Sequence, residues 1–404
     1  MAVRDYSLDS AFVRQLDEEL LEFIGRGLEH RDEETFNRLA LKEFELQFYT
    51  VKPYREFCQR KGITPDTISS WEEIPAVPTL AFKKFVLTTF PPERAVQSYM
   101  SSGTTDFTHR SRIYRDQRAV EIMVRANALL TREYLFPDRE RMRILFFAPS
   151  PRLVPTMGMA VGLGEVRRLF GTEDSTFLIT YRGLDLETLL RALHEAEETG
   201  EPIALIGATS AFIYFLRACE REGLRFELPP GSRICDGGGY QGQFGECSRE
   251  EFWDMCARIL NVPSHYCINV LGMAETSTNF FDNVLRNYLR GRRKVRYKEL
   301  PPWTRLRIVD PETLTPVPPG EPGLLCHYDL ANRAMMFAVQ TDNVGVAVED
   351  GFEILGRWRK KDGRVYLDRT FQHPGGRVLN TLTEFLLRRK FSRIGSVYDR
   401  IIGR

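Results

Sequence analysis

Hydrophobic positions over residues 8–60 recur at helical spacing. Leu16, Leu20, Leu21 and Ile24 form one stripe, and Phe36, Leu39, Leu41, Phe44, Leu46 and Phe48 carry a second. Polar residues from Arg26-Gly27 to Asp32 separate the two. Pro53 and Gly62-Ile63-Thr64-Pro65 bound a short third helix. A stretch over 69–90 is punctuated by Pro75 and Pro78 and contains Phe82-Lys83-Lys84-Phe85. From residue 97 the texture changes. Short apolar runs at 143–148, 176–180 and 203–207 read as strands, with helical stretches at 116–133, 156–169, 184–198 and 210–223. Alternation of this kind predicts an α/β body with a parallel sheet flanked by helices. After 300 the pattern becomes strand and turn. Asp310-Pro311, the run from Pro318 to Gly323, and Asp350-Gly351 predict the turns of a small antiparallel β subdomain. Residues 358–404 are basic, with one helical stretch near 380–391. The predicted organisation is a helical region over 1–96, an α/β core over 97–300, a β subdomain over 301–357 and a short C-terminal domain over 358–404.

Composition narrows the classes. The chain has 404 residues, 43% of them hydrophobic, enough for a sizeable core. Its 56 Lys and Arg nearly cancel 55 Asp and Glu, so no global field draws it to nucleic acid or a membrane surface. No apolar run approaches the ~20 residues of a membrane span. The acid-rich N-terminus lacks a signal core, and the expectation is a cytoplasmic protein. Seven cysteines and six histidines are scattered without zinc-ligand spacing. The basic run from Arg290 to Lys298 reads as a solvated charged loop, with docking of an acidic partner as the alternative.

The most informative segment runs from Tyr99 through Ser101, Ser102, Gly103, Thr104 and Thr105 to Arg112. Small residues around a glycine let the backbone approach an anion, and Ser102, Thr104 and Thr105 supply hydroxyl donors. Arg110 and Arg112 add charge. No GK[ST] follows, so this is not a P-loop. On composition by itself, such a stretch is more often a solvated loop.

Order and context extend the reading. Ser101 to Thr105 resembles the phosphate loop of adenylate-forming enzymes, a superfamily of acyl-CoA synthetases, nonribosomal adenylation domains and luciferases. Gly237-Gly238-Gly239-Tyr240 resembles its adenine loop. Leu271-Gly272-Met273-Ala274-Glu275-Thr276 resembles its YGMTE motif. Thr341-Asp342-Asn343-Val344-Gly345, with Gly356-Arg357, resembles its TGDLG and GR pair. A narrower resemblance is to the acyl-protein synthetase (LuxE-like) family. It rests on Phe48, the run Pro53 to Cys58, Trp71 to Pro78, Ala81-Phe82-Lys83, Leu205 to Phe212, and Phe280-Phe281-Asp282-Asn283. The phenylacetate-CoA ligases are a looser relative.

The resemblance implies the large N-terminal domain of an adenylate-forming enzyme, with flanked β-sheets, a small β subdomain and a short C-terminal cap. It implies ATP-dependent activation of a fatty or aryl carboxylic acid as acyl-AMP. Such chemistry is mostly positioning and charge neutralisation. By resemblance, Ser101, Ser102, Gly103, Thr104 and Thr105 cradle the phosphates. Gly237, Gly238, Gly239 and Tyr240 meet adenine, with Leu271 on one face of its pocket, and Gly272, Met273 and Ala274 complete the nucleotide-binding set, Ala274 at the α-phosphate position. Asp342, Asn343 and Arg357 face the ribose, and Glu275 holds Mg²⁺, with Thr104, Thr105, Glu275 and Arg357 in the catalytic set. The chain departs from the pattern in four places. Leu271 replaces an aromatic residue, Ala274 a threonine and Asn343 an aspartate, and Gln241 stands where the acyl-protein synthetases tend to carry a lysine.

Acyl-protein synthetases pass the acyl group to a cysteine near their C-terminus, but none follows Cys326 in this chain. Cys326 lies in a predicted strand, where His327 points to the opposite face. The expected acceptor is therefore external: CoA, the thiol of an acyl carrier protein or other acyl-accepting partner enzyme, or an amine. Lys360, Lys361 and Lys390 are the candidate C-terminal lysines. Two rivals stay open: an acyl-CoA ligase of the phenylacetate type, and a non-catalytic acyl- or nucleotide-binding subunit.

Overall fold

The computed structural model describes residues 4–100, 111–240, 247–361, 364–368 and 390–403. Two compact units divide the chain. The first comprises 1–130, 272–280 and 299–367, and the second 131–271, 281–298 and 368–404.

The second unit is built on parallel strands β1 (Arg143–Pro149), β2 (Thr176–Thr180), β3 (Ile203–Ala208), β4 (Arg233–Gly237) and β5 (Cys267–Leu271), in the spatial order β5-β4-β3-β1-β2. The apolar runs form strands because a parallel sheet covered on both faces takes continuous apolar sequence. Residues 144–148 of β1 and 203–206 of β3 are all buried. Helices Gly158–Phe170, Leu186–Thr199, Thr209–Arg221 and Arg249–Leu260 supply the cover. Asp185 caps Leu186–Thr199 by accepting from the Thr188 amide, and Gly200 ends it in the left-handed conformation. Near the chain's end, Phe391 and Ile394 enter this unit's core. Helix Ile394–Ile401 packs against Leu186–Thr199 and Thr209–Arg221.

In the first unit the two predicted stripes are helices Ala11–Gly25 and Glu33–Thr50, begun by the caps Ser10 and Asp32. Leu16, Leu20, Ile24, Phe36, Leu39 and Phe44 face the core. The strand-and-turn region forms the antiparallel array β6 (Thr304–Val309), β7 (Gly323–Asp329), β8 (Ala338–Val348) and β9 (Gly351–Lys361). Asp350 and Gly351 lie at the β8–β9 turn, and Val77–Pro78 pairs parallel to β8. No helix among the described residues is long and apolar enough to cross a membrane.

Strand β7 departs from simple alternation, because all its residues from Gly323 to Asp329 are buried. Cys326 and His327 point to opposite faces as the strand geometry requires, yet both faces are covered. Burial pushes the Cys326 thiol up to about 12, so it is not an activated nucleophile. His327 lies between the rings of Phe280 and Phe352, with centroids 5.0 and 5.5 Å away. Neither ring nitrogen has a hydrogen-bond partner among the described residues. Burial accordingly depresses its pKa to about 3.

This imidazole makes a testable contribution to acid sensitivity. The unfolded chain protonates His327 near the ordinary value of about 6.5, whereas the folded chain does so only near about 3. Stability should fall as pH drops through that window. His327→Leu removes the linkage. Urea unfolding at several pH values should show the stability of the variant relative to wild type rising by about 1.4 kcal/mol for each pH unit from 6 down to 4. Parallel pH profiles would refute the assignment.

Candidate active site

Two constellations carry the candidate chemistry, one in each unit. In the first unit, residues 272–279 run without regular secondary structure between β5 and the short strand Phe280–Phe281. Side chains of three buried residues, Arg115, Asp329 and Asn332, and of the half-buried Asn127 bond this loop's main chain. Asn332 Nδ2 donates to the Glu275 carbonyl at 2.9 Å, and Arg115 Nη2 to that of Thr276 at 3.3 Å. Asp329 accepts from the amides of Ser277 and Thr278 at 2.9 and 2.8 Å. Asn127 Nδ2 donates to the Ser277 carbonyl at 2.7 Å, and its Oδ1 accepts from the Asn279 amide at 2.9 Å. A Cβ at Gly272 would lie 2.6 Å from Asn279 Oδ1, so the Asn279 side chain would have to shift.

The Glu275 carboxyl is partly buried. Burial raises its pKa, and Asp342 adds to the rise. The Ser111 hydroxyl and the charge of Lys83 oppose it. Pairing of β8 with β9 sets Asn343 opposite Arg357. Asn343 is buried, its Nδ2 3.6 Å from Met273 Sδ. Asp342 meets Arg359 at 3.4 Å. Strand register thus sets Asn343 beside Arg357, with Met273 against Asn343, while Asp342, the next residue along β8, pairs with Arg359 and lies close enough to Glu275 for its charge to act on that carboxyl.

The second unit carries Gly237-Gly238-Gly239-Tyr240 at the C-terminal end of β4. Carboxyl ends of strands are where open parallel sheets bind ligands. Gly238 has φ +122°, a conformation that side chains rarely adopt. A buried polar network holds the loop. Parallel register sets Asp236 beside Asn269. Asp236 accepts from Thr209 Oγ1 at 2.6 Å, Asn269 Nδ2 at 2.9 Å and Tyr240 Oη at 3.3 Å. Asn269 Nδ2 also reaches the Gly238 carbonyl at 3.2 Å. Burial lifts the Asp236 carboxyl to about 6 against the bonds from Thr209 and Asn269. Lys298 Nζ donates to the Asn269 carbonyl and Oδ1 at 3.0 and 2.9 Å and to Asp282 at 3.1 Å. Arg296 bonds the other Asp282 oxygen at 3.0 Å. Asp282 is buried, but Lys298 and Arg296 hold its carboxyl below the usual range.

Ser101, Ser102, Gly103, Thr104 and Thr105 lie outside the described residues, as does the segment 241–246. Leu271 ends β5, and Ala274 lies beside Glu275 in the bonded loop. Sequence reasoning missed Asp329, Asn332, Arg115, Asn127, Asp236 and Lys298. A signal was available for two of them, since Asp236 and Asp329 terminate apolar strand runs without leaving the core. The basic run also needs correction. Arg290, Arg292 and Arg293 are exposed, but Arg296 and Lys298 turn inward because Asp282 needs counter-charge. Arg296 also lies 3.9 Å over the Trp253 ring.

The family model for "Acyl-protein synthetase, LuxE" matches residues 10–365. The long-chain-fatty-acid–luciferin-component ligase of Vibrio harveyi is 26% identical over 319 residues, covering 78% of this chain and 79% of the relative. Its counterpart from Aliivibrio fischeri is 26% identical over 318 residues, with the same coverage. Among solved structures, 2-hydroxyisobutyryl-CoA ligase bound to its acyl-adenylate aligns with a TM-score of 0.58 at 15% identity, covering 82% of this chain and 70% of that one. An open form of the same enzyme, bound to the acyl-adenylate and CoA, aligns at 0.59 with 14% identity, covering 82% and 72%. These likenesses show that the chain has the fold of adenylate-forming enzymes.

The network behind Gly238 predicts a large cost for losing its cation. Lys298→Met leaves Asp282 with one counter-charge and Asn269 without its donor. Denaturant unfolding should show a loss of about 3–5 kcal/mol. A change below about 1 kcal/mol would mean that Lys298 is not needed to hold the pair.

Proposed function

The chain belongs to the LuxE acyl-protein synthetase family, and on that premise we propose that it activates a carboxylic acid with ATP and hands the acyl group to an external acceptor. In the first half-reaction a carboxylate oxygen attacks the α-phosphorus of ATP. Pyrophosphate leaves, and the acid becomes an acyl-AMP. In the second, a thiol or amine attacks the acyl carbonyl and AMP leaves. The observation that carries this reading is that Asn343 pairs with Arg357 and that Asp342 lies within electrostatic reach of Glu275 in the same unit, a set that offers groups for charge neutralisation and for ribose contacts.

The residues present fit a divalent cation and a nucleotide. Glu275 offers a hard, partly buried oxygen whose charge burial disfavours, a state that Mg²⁺ would relieve. Bound there with the phosphates, Mg²⁺ would neutralise charge on the leaving pyrophosphate. Arg357 and Asn343 would orient the ribose. Asn343 does so with an amide, which pairs with hydroxyls without charge assistance. Gly237 and Gly238 lack the Cβ that would hold a planar base away. Ser101, Ser102, Gly103, Thr104 and Thr105 would cradle the phosphates.

A long-chain fatty acid is the acid class that the luciferin-component ligases favour as a reading here. The buried Cys326 is poorly suited to carry the acyl group, which favours CoA, a carrier-protein thiol, a partner enzyme or an amine as the acceptor.

The test is pyrophosphate release from Mg-ATP with panels of fatty, aryl and amino acids, using hydroxylamine to trap acyl-AMP. One acid class should give signal, and Glu275→Gln should lower its rate by about 100-fold. Silence across the panel, with no nucleotide binding by calorimetry, would refute the reading and favour a non-catalytic subunit.

A further inference from the structure

Surface loops ordinarily leave much of their main chain to water. The loop 275–279 does the opposite. The carbonyls of Glu275, Thr276 and Ser277 and the amides of Ser277, Thr278 and Asn279 are each bonded by a side chain of Asn332, Arg115, Asn127 or Asp329. Arg115, Asp329 and Asn332 are buried. Asp329 is the centre of the arrangement. Its carboxylate also accepts from Thr278 Oγ1 at 2.8 Å and from the Ala331 amide at 3.0 Å. Trp303 Nε1 donates to the same Thr278 hydroxyl at 3.1 Å, and Asn332 Oδ1 accepts from Ser277 Oγ at 3.0 Å. A buried carboxylate saturated by main-chain donors costs desolvation that a plain turn would avoid. Its effect is to hold one backbone path immediately after Glu275.

We infer that Asp329, seconded by Asn332 and Asn127, is a positioning residue that fixes where the Glu275 carboxylate is presented to a divalent cation and the phosphates it accompanies. This rests on the reading of Glu275 given above. Asp329 touches no reacting atom. It acts through the amides of Ser277 and Thr278, so its loss should loosen the cation site and leave contacts to the acid unchanged.

The test compares wild type, Asp329→Asn and Asn127→Ala. Ile24→Ala serves as a control, since Ile24 is a core residue of the same unit with none of these bonds. Mn²⁺ binding in the presence of ATP is read from water-proton relaxation, and Mg²⁺ dependence from pyrophosphate release. Asp329→Asn keeps the size of the side chain but aims an amide at main-chain donors. It should weaken Mn²⁺ binding and raise the half-activating Mg²⁺ concentration by about tenfold or more, with kcat falling and KM for the acid unchanged. Asn127→Ala should shift both in the same direction by less, and it decides the matter if Asp329→Asn does not fold. Ile24→Ala should lower the melting temperature without moving either. Cation affinity equal to wild type in both loop variants, or an equal shift in Ile24→Ala, overturns the inference alone. A wild-type protein that binds no Mn²⁺ with ATP overturns it together with the role given to Glu275. Binding without turnover overturns only the proposed reaction.

Discussion

Arg333 is fully buried, and its charge is tolerable there because Asp17 and Asp116 meet it on two sides, at 2.7 and 2.8 Å. Removing one partner of such a group typically costs about 3–5 kcal/mol, because the charge left behind has no water to turn to. The arrangement binds three distant stretches of chain: helix Ala11–Gly25, the entry to helix Gln117–Tyr134, and the segment after β7. Burial, opposed by Arg333 and aided by Asp116, lifts the Asp17 carboxyl to about 6. Asp329 and Asn332 lie just ahead of Arg333 in sequence and hold the loop of Glu275. The ion cluster therefore anchors the same short segment whose Asp329 and Asn332 hold the loop of the candidate catalytic carboxylate.

The second unit reaches the same end by different residues. Asp236 and Asn269, side by side on parallel strands, bond Tyr240 and the Gly238 carbonyl, and Lys298 with Arg296 balances Asp282 behind them. In both units an irregular segment proposed to meet the nucleotide is held by buried and half-buried polar side chains. Apolar contacts alone would leave such segments free to slide, since they have no direction. Hydrogen bonds to named main-chain atoms do not permit sliding. The chemistry proposed here consists mainly of placing phosphates, a cation and a carboxylate, and it benefits from that rigidity.

Much of the framework was legible in the chain. The stripes through Leu16 and Phe36 became helices because a 3.6-residue period puts those positions on one face. The runs at 143–148 and 203–207 became adjacent parallel strands because they are apolar at nearly every position. His327 and Arg296 mark where such reading stopped. Alternation correctly turns His327 away from Cys326, but nothing local says that both faces of β7 are covered. Arg296 and Lys298 sit in a run that looks solvated until Asp282 is seen to lie beside them.

The sequence by itself determined the element types, the parallel and antiparallel regions and the family motifs, because each is written in neighbouring residues or fixed periods. Only the tertiary structure decided which residues serve those motifs. Asp329 follows Glu275 by a helix and several strands, Arg115 and Asn127 precede it by well over a hundred positions, and no period links them. Their roles arise from desolvation. Once the fold buries the 275–279 loop, each of its main-chain groups must find a partner, and the partners are whichever polar side chains the packing brings within reach.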